Sequence, residues 1–258
     1  MKLIKIIQKY YEYILTKLKV LTDQRIFRYD DINIKYMYKP RTESDILVIV
    51  FSACTRPGLS ARYNYVKTLE GIPINRLYIL DDFGEDGRGS YYLGNMPDFK
   101  EQKGTLALIN KVIAETNPTK LLFCGSCKGG YAALNFGSRY KDSIMIVGEP
   151  TYRIATEFRL DEGLIRYWVG EATKEKIDYM DNYLTNMLKS NCFIESQKLF
   201  LFFSDRDEYY ERHTKPLVQD LKKFGYKIQI ETGQFEQHAD LGLFFPAFLK
   251  NKIDACLH

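Results

Sequence analysis

The stretch Leu121 to Leu134, LLFCGSCKGGYAAL, sets a cysteine among small residues where an apolar run gives way to helical spacing. Its pattern is G-x-C-x-G-G. A strand that turns sharply into a helix has room only for small residues two before and two after the apex. Gly125 and Gly129 take those places. Cys127 then stands at the apex, at a helix N-terminus, where the dipole favours a thiolate. The backbone N–H of Lys128 is placed to meet a developing oxyanion. A phosphate cradle needs other glycine spacing and a lysine followed by serine or threonine, whereas Lys128 is followed by Gly129. A buried structural cysteine is the plain alternative.

A nucleophile on such a turn needs a base and an orienting acid, in the chain order nucleophile, acid, histidine. There are three histidines. His258 is the last residue, and His213 falls at the start of a helical segment. His238 lies in GQFEQHADLG, between a short strand-like run and the closing helix, where the base belongs. The acid should follow the run Lys198 to Phe203, in the loop SDRDEYY. Asp207 fits best, three residues after the small Ser204, with Asp205 as the alternative. The second oxyanion N–H should come from the loop after Ile46 to Phe51, from Ser52, Ala53 or Cys54. Arg56 and Arg62 in that loop suggest an anionic substrate, or else a solvated surface patch.

These loops need a sheet to carry them. Ile46 to Phe51 (ILVIVF) is a continuous apolar run of the kind found in buried strands. Ile32 to Tyr38, Arg76 to Leu80, Lys120 to Cys124, Ser143 to Val147, Lys198 to Phe203 and Lys227 to Glu231 also read as strands. Leu106 to Ala114, Gly130 to Tyr140, Lys215 to Phe224 and Leu241 to Lys250 read as helices. The alternation predicts an α/β fold with a mostly parallel sheet flanked by helices. Residues 152–192 break the rhythm with polar, helical periodicity and the only tryptophan, and are expected to form a cap over the site.

A length of 258 residues and 45% hydrophobic content suit a single domain with a sizeable core. The net charge of +4 is too small for a dedicated nucleic-acid binder, and no run is long enough to span a membrane. Five scattered cysteines do not make a disulfide framework, which points to a reducing, cytoplasmic home. Residues 1–30 are read as an N-terminal amphipathic helix. Leu3, Ile7, Tyr11, Ile14 and Leu18 form its apolar stripe, and it packs on the domain or rests on an anionic membrane surface. No metal and no cofactor is expected, because the histidines stand apart. The Cys124-x-x-Cys127 pair should diverge between a buried strand and the turn.

Taken together, these residues resemble the α/β-hydrolase superfamily from about Ile32 to the C-terminus. Four blocks sharpen the likeness: ARYNYVKTL (Ala61 to Leu69), RLYILDDFG (Arg76 to Gly84), YYLG (Tyr91 to Gly94) and FCGSCKGGYAAL (Phe123 to Leu134). They resemble a bacterial hydrolase-fold group linked to surface-polysaccharide and glycoprotein assembly. That group is similar to the accessory Sec esterase-like protein involved in O-acetylating secreted glycoproteins. Its members usually read G-S-S-K-G-G at the elbow, and here Cys127 replaces the serine. Cysteine also occupies this place in dienelactone-hydrolase-like and polyhydroxyalkanoate-synthase-like enzymes. The resemblance implies an esterase or acyltransferase acting on a small-molecule or glycan ester, with glycosylation or secretion machinery as partners. The competing expectation is an inactive hydrolase-fold scaffold that binds such a partner.

Overall fold

The computed structural model describes residues 20–257. In chain order its elements are β1 (Gln24–Tyr29), β2 (Ile32–Lys39), β3 (Ile46–Phe51), β4 (Asn75–Leu80), α1 (Lys100–Thr116), β5 (Lys120–Ser126) and α2 (Lys128–Gly137). Then follow β6 (Ile144–Gly148), α3 (Ile154–Glu157), α4 (Glu162–Val169), α5 (Lys174–Lys189), β7 (Lys198–Phe203), α6 (Lys215–Lys223), β8 (Ile228–Thr232) and α7 (Leu241–Leu257). The strands form one sheet in the order β1-β2-β4-β3-β5-β6-β7-β8. The β1–β2 and β2–β4 pairings are antiparallel, and the pairings from β4 through β8 are parallel. The mostly parallel sheet flanked by helices is the one expected from the alternation of strands and helices, and its arrangement is the α/β-hydrolase fold that the resemblance implies.

Alternate residues of each central strand feed opposite layers, as the strand period of two requires. Leu47, Ile49 and Phe51 of β3 pack with α1 and α2, along with Leu184 of α5 and Leu217 of α6. Ile46, Val48 and Val50 face the other way, toward Phe245, Phe248 and Leu249 of α7. Coverage on both sides explains why β3 is apolar throughout.

The helix expected over residues 1–30, with its suggested membrane contact, falls mainly on residues 1–19, outside the described residues. Within its span Gln24–Tyr29 is a strand instead, joined to β2 by a two-residue turn at Asp30 and Asp31. Asp30 sits at φ 49°, a left-handed conformation that aspartate tolerates in turns. Among the described residues no helix is long and apolar enough to cross a membrane.

Parallel strands deliver the loops after β3, β5, β6 and β7 to one edge of the sheet. The loop that opens α7 joins them there: Glu149, just after β6, contacts His238.

Candidate active site

The turn from β5 into α2 is as tight as its sequence implies. Cys127 adopts φ 52° and ψ −119°, a conformation that L-residues rarely hold. A Cβ on Gly125 would lie 2.5 Å from the Gly129 backbone, and one on Gly129 would lie 2.6 Å from the Phe51 carbonyl oxygen. Both glycines are therefore required by backbone contact. Ser126 turns its hydroxyl to Tyr65, and Cys124 points its thiol toward the Ile49 carbonyl oxygen at 3.5 Å. The Cys-x-x-Cys side chains thus diverge, and Cys127 alone of the three faces the cavity.

That cavity measures about 210 Å³. Its lining brings Cys127 and His238 together with Cys54, Tyr91 and Tyr209. Residues 152–192 contribute Phe158 and Leu164 to its wall. Arg56 and Arg62 are exposed and lie outside the lining, where the arginine present is Arg88.

Four groups converge on the Cys127 sulfur and lower its pKa to about 7: a hydrogen bond from the Cys54 thiol, the Thr151 hydroxyl, and the backbone N–H groups of Lys128 and Cys54. Burial opposes them. The Thr151 Oγ1 contact is 3.6 Å. The same pairing pushes the Cys54 thiol well up, so Cys54 acts as the proton-bearing partner.

The loop after β3 holds a correction. The Ser52 N–H donates to the Tyr92 hydroxyl at 2.6 Å, and the Ala53 N–H donates to Asn64 Oδ1 at 2.9 Å. Two of the three candidate donors from this loop, Ser52 and Ala53, are thus engaged elsewhere. The N–H from this loop that reaches Cys127 is that of Cys54, beside that of Lys128. Tyr92 seats the loop, and it is seated in turn by Asp81, whose carboxylate accepts from the N–H groups of Ser90 and Tyr92. Asp81 also pairs with the buried Lys128 ammonium at 3.1 Å. The sequence blocks RLYILDDFG and YYLG thus frame this loop.

His238 begins a short helical turn before α7. Its Nδ1 lies 3.2 Å from Glu149 Oε2 and 3.7 Å from Asp207 Oδ2. Asp207 is buried, as Asp205 is not. Glu149 is the carboxylate that sequence reasoning missed; its only signal is a carboxylate immediately after a strand. It is fully buried, and burial first, then the negative charge of Asp207, pushes its pKa up to about 7 against the pull of His238. His238 Nε2 is buried with no hydrogen-bond partner, so the expected His238–Cys127 hydrogen bond is not closed. His213 is spoken for elsewhere: its Nδ1 accepts the Tyr152 N–H and its Nε2 faces Glu157 at 3.0 Å. His258 lies outside the described residues.

Among the described residues, Glu149, Asp207 and His238 also bring three potential metal-ligand atoms within 4.8 Å of one another.

No protein-family model matches the chain, and no curated protein matches it in sequence. Solved structures do. The capsule O-acetyltransferase of Neisseria meningitidis serogroup A superposes with a TM-score of 0.74 at 22% identity, covering 89% of this chain and 93% of that one. That fold is shared. The glycosylation-associated protein complex Gap123 of Streptococcus agalactiae matches with a TM-score of 0.70 at 18% identity, covering 90% of this chain but 46% of that one. An S-formylglutathione hydrolase from Agrobacterium tumefaciens matches at 0.63 and 11% identity, covering 88% and 92%.

Proposed function

We propose that this chain is an acyltransferase or esterase that carries a short acyl group on Cys127, with acylated cell-surface glycans as its substrate class. The observation that carries this reading is the convergence of the Lys128 and Cys54 N–H groups on a thiol held at a strained turn, inside a cavity that also holds His238. In the first step His238 takes the Cys127 thiol proton, and the thiolate attacks the carbonyl carbon of an ester or thioester. The carbonyl oxygen becomes an oxyanion between the two N–H groups. His238 protonates the leaving alcohol or thiol as the C–O or C–S bond breaks. In the second step His238 takes the proton of water or a sugar hydroxyl, which attacks the acyl-thioenzyme and releases the Cys127 thiolate. The first step requires the Cys127 sulfur to leave Thr151 for the unpartnered Nε2.

Three observations support a short acyl group and a glycan acceptor. The cavity is small, Phe158 and Leu164 close it on the cap side, and the fold is shared with a capsule O-acetyltransferase, one variant of which was solved in complex with CoA. A thioester intermediate yields readily to an alcohol, which favours transfer. The second reading, a non-catalytic scaffold for glycosylation machinery, draws on the likeness to Gap123 and on the open Cys127–His238 gap.

Incubation with an acetyl thioester and intact-mass measurement decides between them. One acetyl group should appear on the wild-type chain, none on Cys127→Ala, and the adduct should persist in His238→Ala. An unmodified wild-type chain across a panel of esters and thioesters would favour the scaffold.

A further inference from the structure

Two thiols share the cavity. Cys54, from the loop after β3, and Cys127, at the elbow after β5, both line it. Strands β3 and β5 are hydrogen-bonded neighbours, with Val50 opposite Cys124, so the two loops leave the sheet edge side by side. The Cys54 thiol and the Cys54 N–H both bond to the Cys127 sulfur. Cys54 Sγ lies 3.7 Å from the Tyr91 hydroxyl, and Cys127 Sγ lies 3.6 Å from Thr151 Oγ1. Tyr91 and Thr151 are hydrogen-bonded in turn, so the four side chains close a ring. Acyl transfer calls on the Cys54 N–H, but no bond in it is made or broken at the Cys54 sulfur. The other cysteines face elsewhere. The Cys124 thiol turns to the Ile49 carbonyl oxygen, Cys192 is exposed, and Cys256 packs with the opposite layer from Cys54.

We propose that Cys54 is a resolving cysteine, and that a small hydroperoxide such as hydrogen peroxide converts the Cys54–Cys127 pair into a disulfide that withdraws the nucleophile reversibly. The Cys127 thiolate attacks one peroxide oxygen. The O–O bond breaks, hydroxide leaves, and Cys127 becomes a sulfenic acid. The Cys54 sulfur then attacks the sulfenic sulfur. The S–O bond breaks as the S–S bond forms, and the departing hydroxide takes the Cys54 proton to give water. Two electrons pass from the two sulfurs to one peroxide. A dithiol reverses the change by thiol–disulfide exchange. The sulfurs must close from hydrogen-bond contact to about 2.05 Å. Cys54 is the side that moves: it stands in residues 52–64, which hold neither strand nor helix, while backbone contacts at Gly125 and Gly129 fix the elbow. Without Cys54 the sulfenic acid stays open to sulfinic acid, which thiols do not reverse.

This goes beyond the acyl-enzyme reading, and its test uses no acyl donor. The reduced, folded chain is treated with an equimolar amount of hydrogen peroxide, alkylated with N-ethylmaleimide in denaturant, and digested without reductant. Alkylation should fall from five thiols to three, and a peptide pair joined through Cys54 and Cys127 should appear. Dithiothreitol should restore all five. Cys54→Ser should give no linked pair. Its Cys127 should be trapped as sulfenic acid by dimedone, and should pass to sulfinic acid under excess peroxide. Cys192→Ser should keep the link. The peptide map of the wild-type chain decides the matter even where the Cys54 variant does not fold. A Cys124–Cys127 link, sulfinic acid at Cys127 with no link, or thiols all still free after treatment would each overturn the proposal. Acetyl loading of the same reduced sample reports separately on the acyl-enzyme reading, so failure of either is visible on its own.

Discussion

Tyr209 lies flat on His238, with ring centroids 3.8 Å apart and planes inclined by 11°. Tyr209 also meets His213, with ring centroids 4.9 Å apart, and His213 in turn faces Glu157 at the end of α3. The stack links the base to α3, so the orientation of His238 depends on a ring outside the acid–base set. Replacing Tyr209 by leucine should slow acyl turnover by roughly 3- to 10-fold, the equivalent of about 0.5–1.5 kcal/mol for an aromatic pair. Tyr209→Phe keeps the ring and should stay within about twofold. Steady-state kinetics on the two variants checks this, and equal losses in both would show that the hydroxyl rather than the stack matters.

The Cys127 thiol carries a pH signature. Its pKa lies near 7, against 9.0 for an unperturbed thiol, and the thiolate is the form that reacts. Alkylation by iodoacetamide, read as the mass of the Cys127 peptide, should rise with pH through about 7 and then level off. The hydrogen bond from the Cys54 thiol does most to lower it, so Cys54→Ala should move the rise to higher pH. Thr151→Val should move it the same way by less. A wild-type rate still climbing at pH 9 would show that these hydrogen bonds do not hold the thiolate.

How far the sequence reaches is clear from particular positions. Cys127 is legible because backbone contact dictates the glycines around it. Strand β1 is not: QRIFRY is half-exposed and pairs only with β2, so its apolar pattern is thin and merges with the helical stripe before it. Glu149 is hidden for another reason. Its closeness to His238 arises from the left-handed turn after β6 and from a contact 89 residues along the chain. The Ser52, Ala53 and Cys54 N–H groups are alike in sequence, and only the Tyr92 hydroxyl and the Asn64 side chain decide which one is left for the sulfur.

Lys128 and Asp81 form a buried pair under the cavity floor, with exposures of 1% and 0%. The ammonium also donates to the Asp81 and Arg88 carbonyl oxygens at 2.9 and 2.7 Å. Lys128→Met strands the carboxylate and should cost about 3–5 kcal/mol. Gly89→Ala attacks the same pair from above. Its Cβ would fall 1.9 Å from Lys128 Nζ at a residue with φ 110°. Thermal unfolding should show melting temperatures lowered by roughly 6–15 °C in both variants. A Gly89→Ala chain as stable as wild type would mean that the floor can shift to admit a methyl group.

Arg88 joins the cavity floor to the start of α4. Its guanidinium reaches Asp161 Oδ2 at 2.7 Å, and Asp161 also caps α4 by accepting the Leu164 N–H at 3.1 Å. One residue thus closes the wall and starts the helix that carries Leu164 into the cavity. The two roles separate by substitution. Asp161→Asn keeps a capping oxygen but loses the ion pair, while Asp161→Ala loses both. The pair is partly exposed, so its loss should cost at most about 1 kcal/mol of stability. The missing cap in Asp161→Ala should add about 1 kcal/mol. The consequence for chemistry is larger. A loosened wall admits water to the acyl-thioenzyme, and water then competes with the acceptor hydroxyl. Product analysis with a polysaccharide acceptor should show Asp161→Asn releasing more free acid relative to transferred acyl group than wild type, with little change in melting temperature. Wild-type partitioning in Asp161→Asn would mean that the Arg88 contact does not govern entry of water to the site.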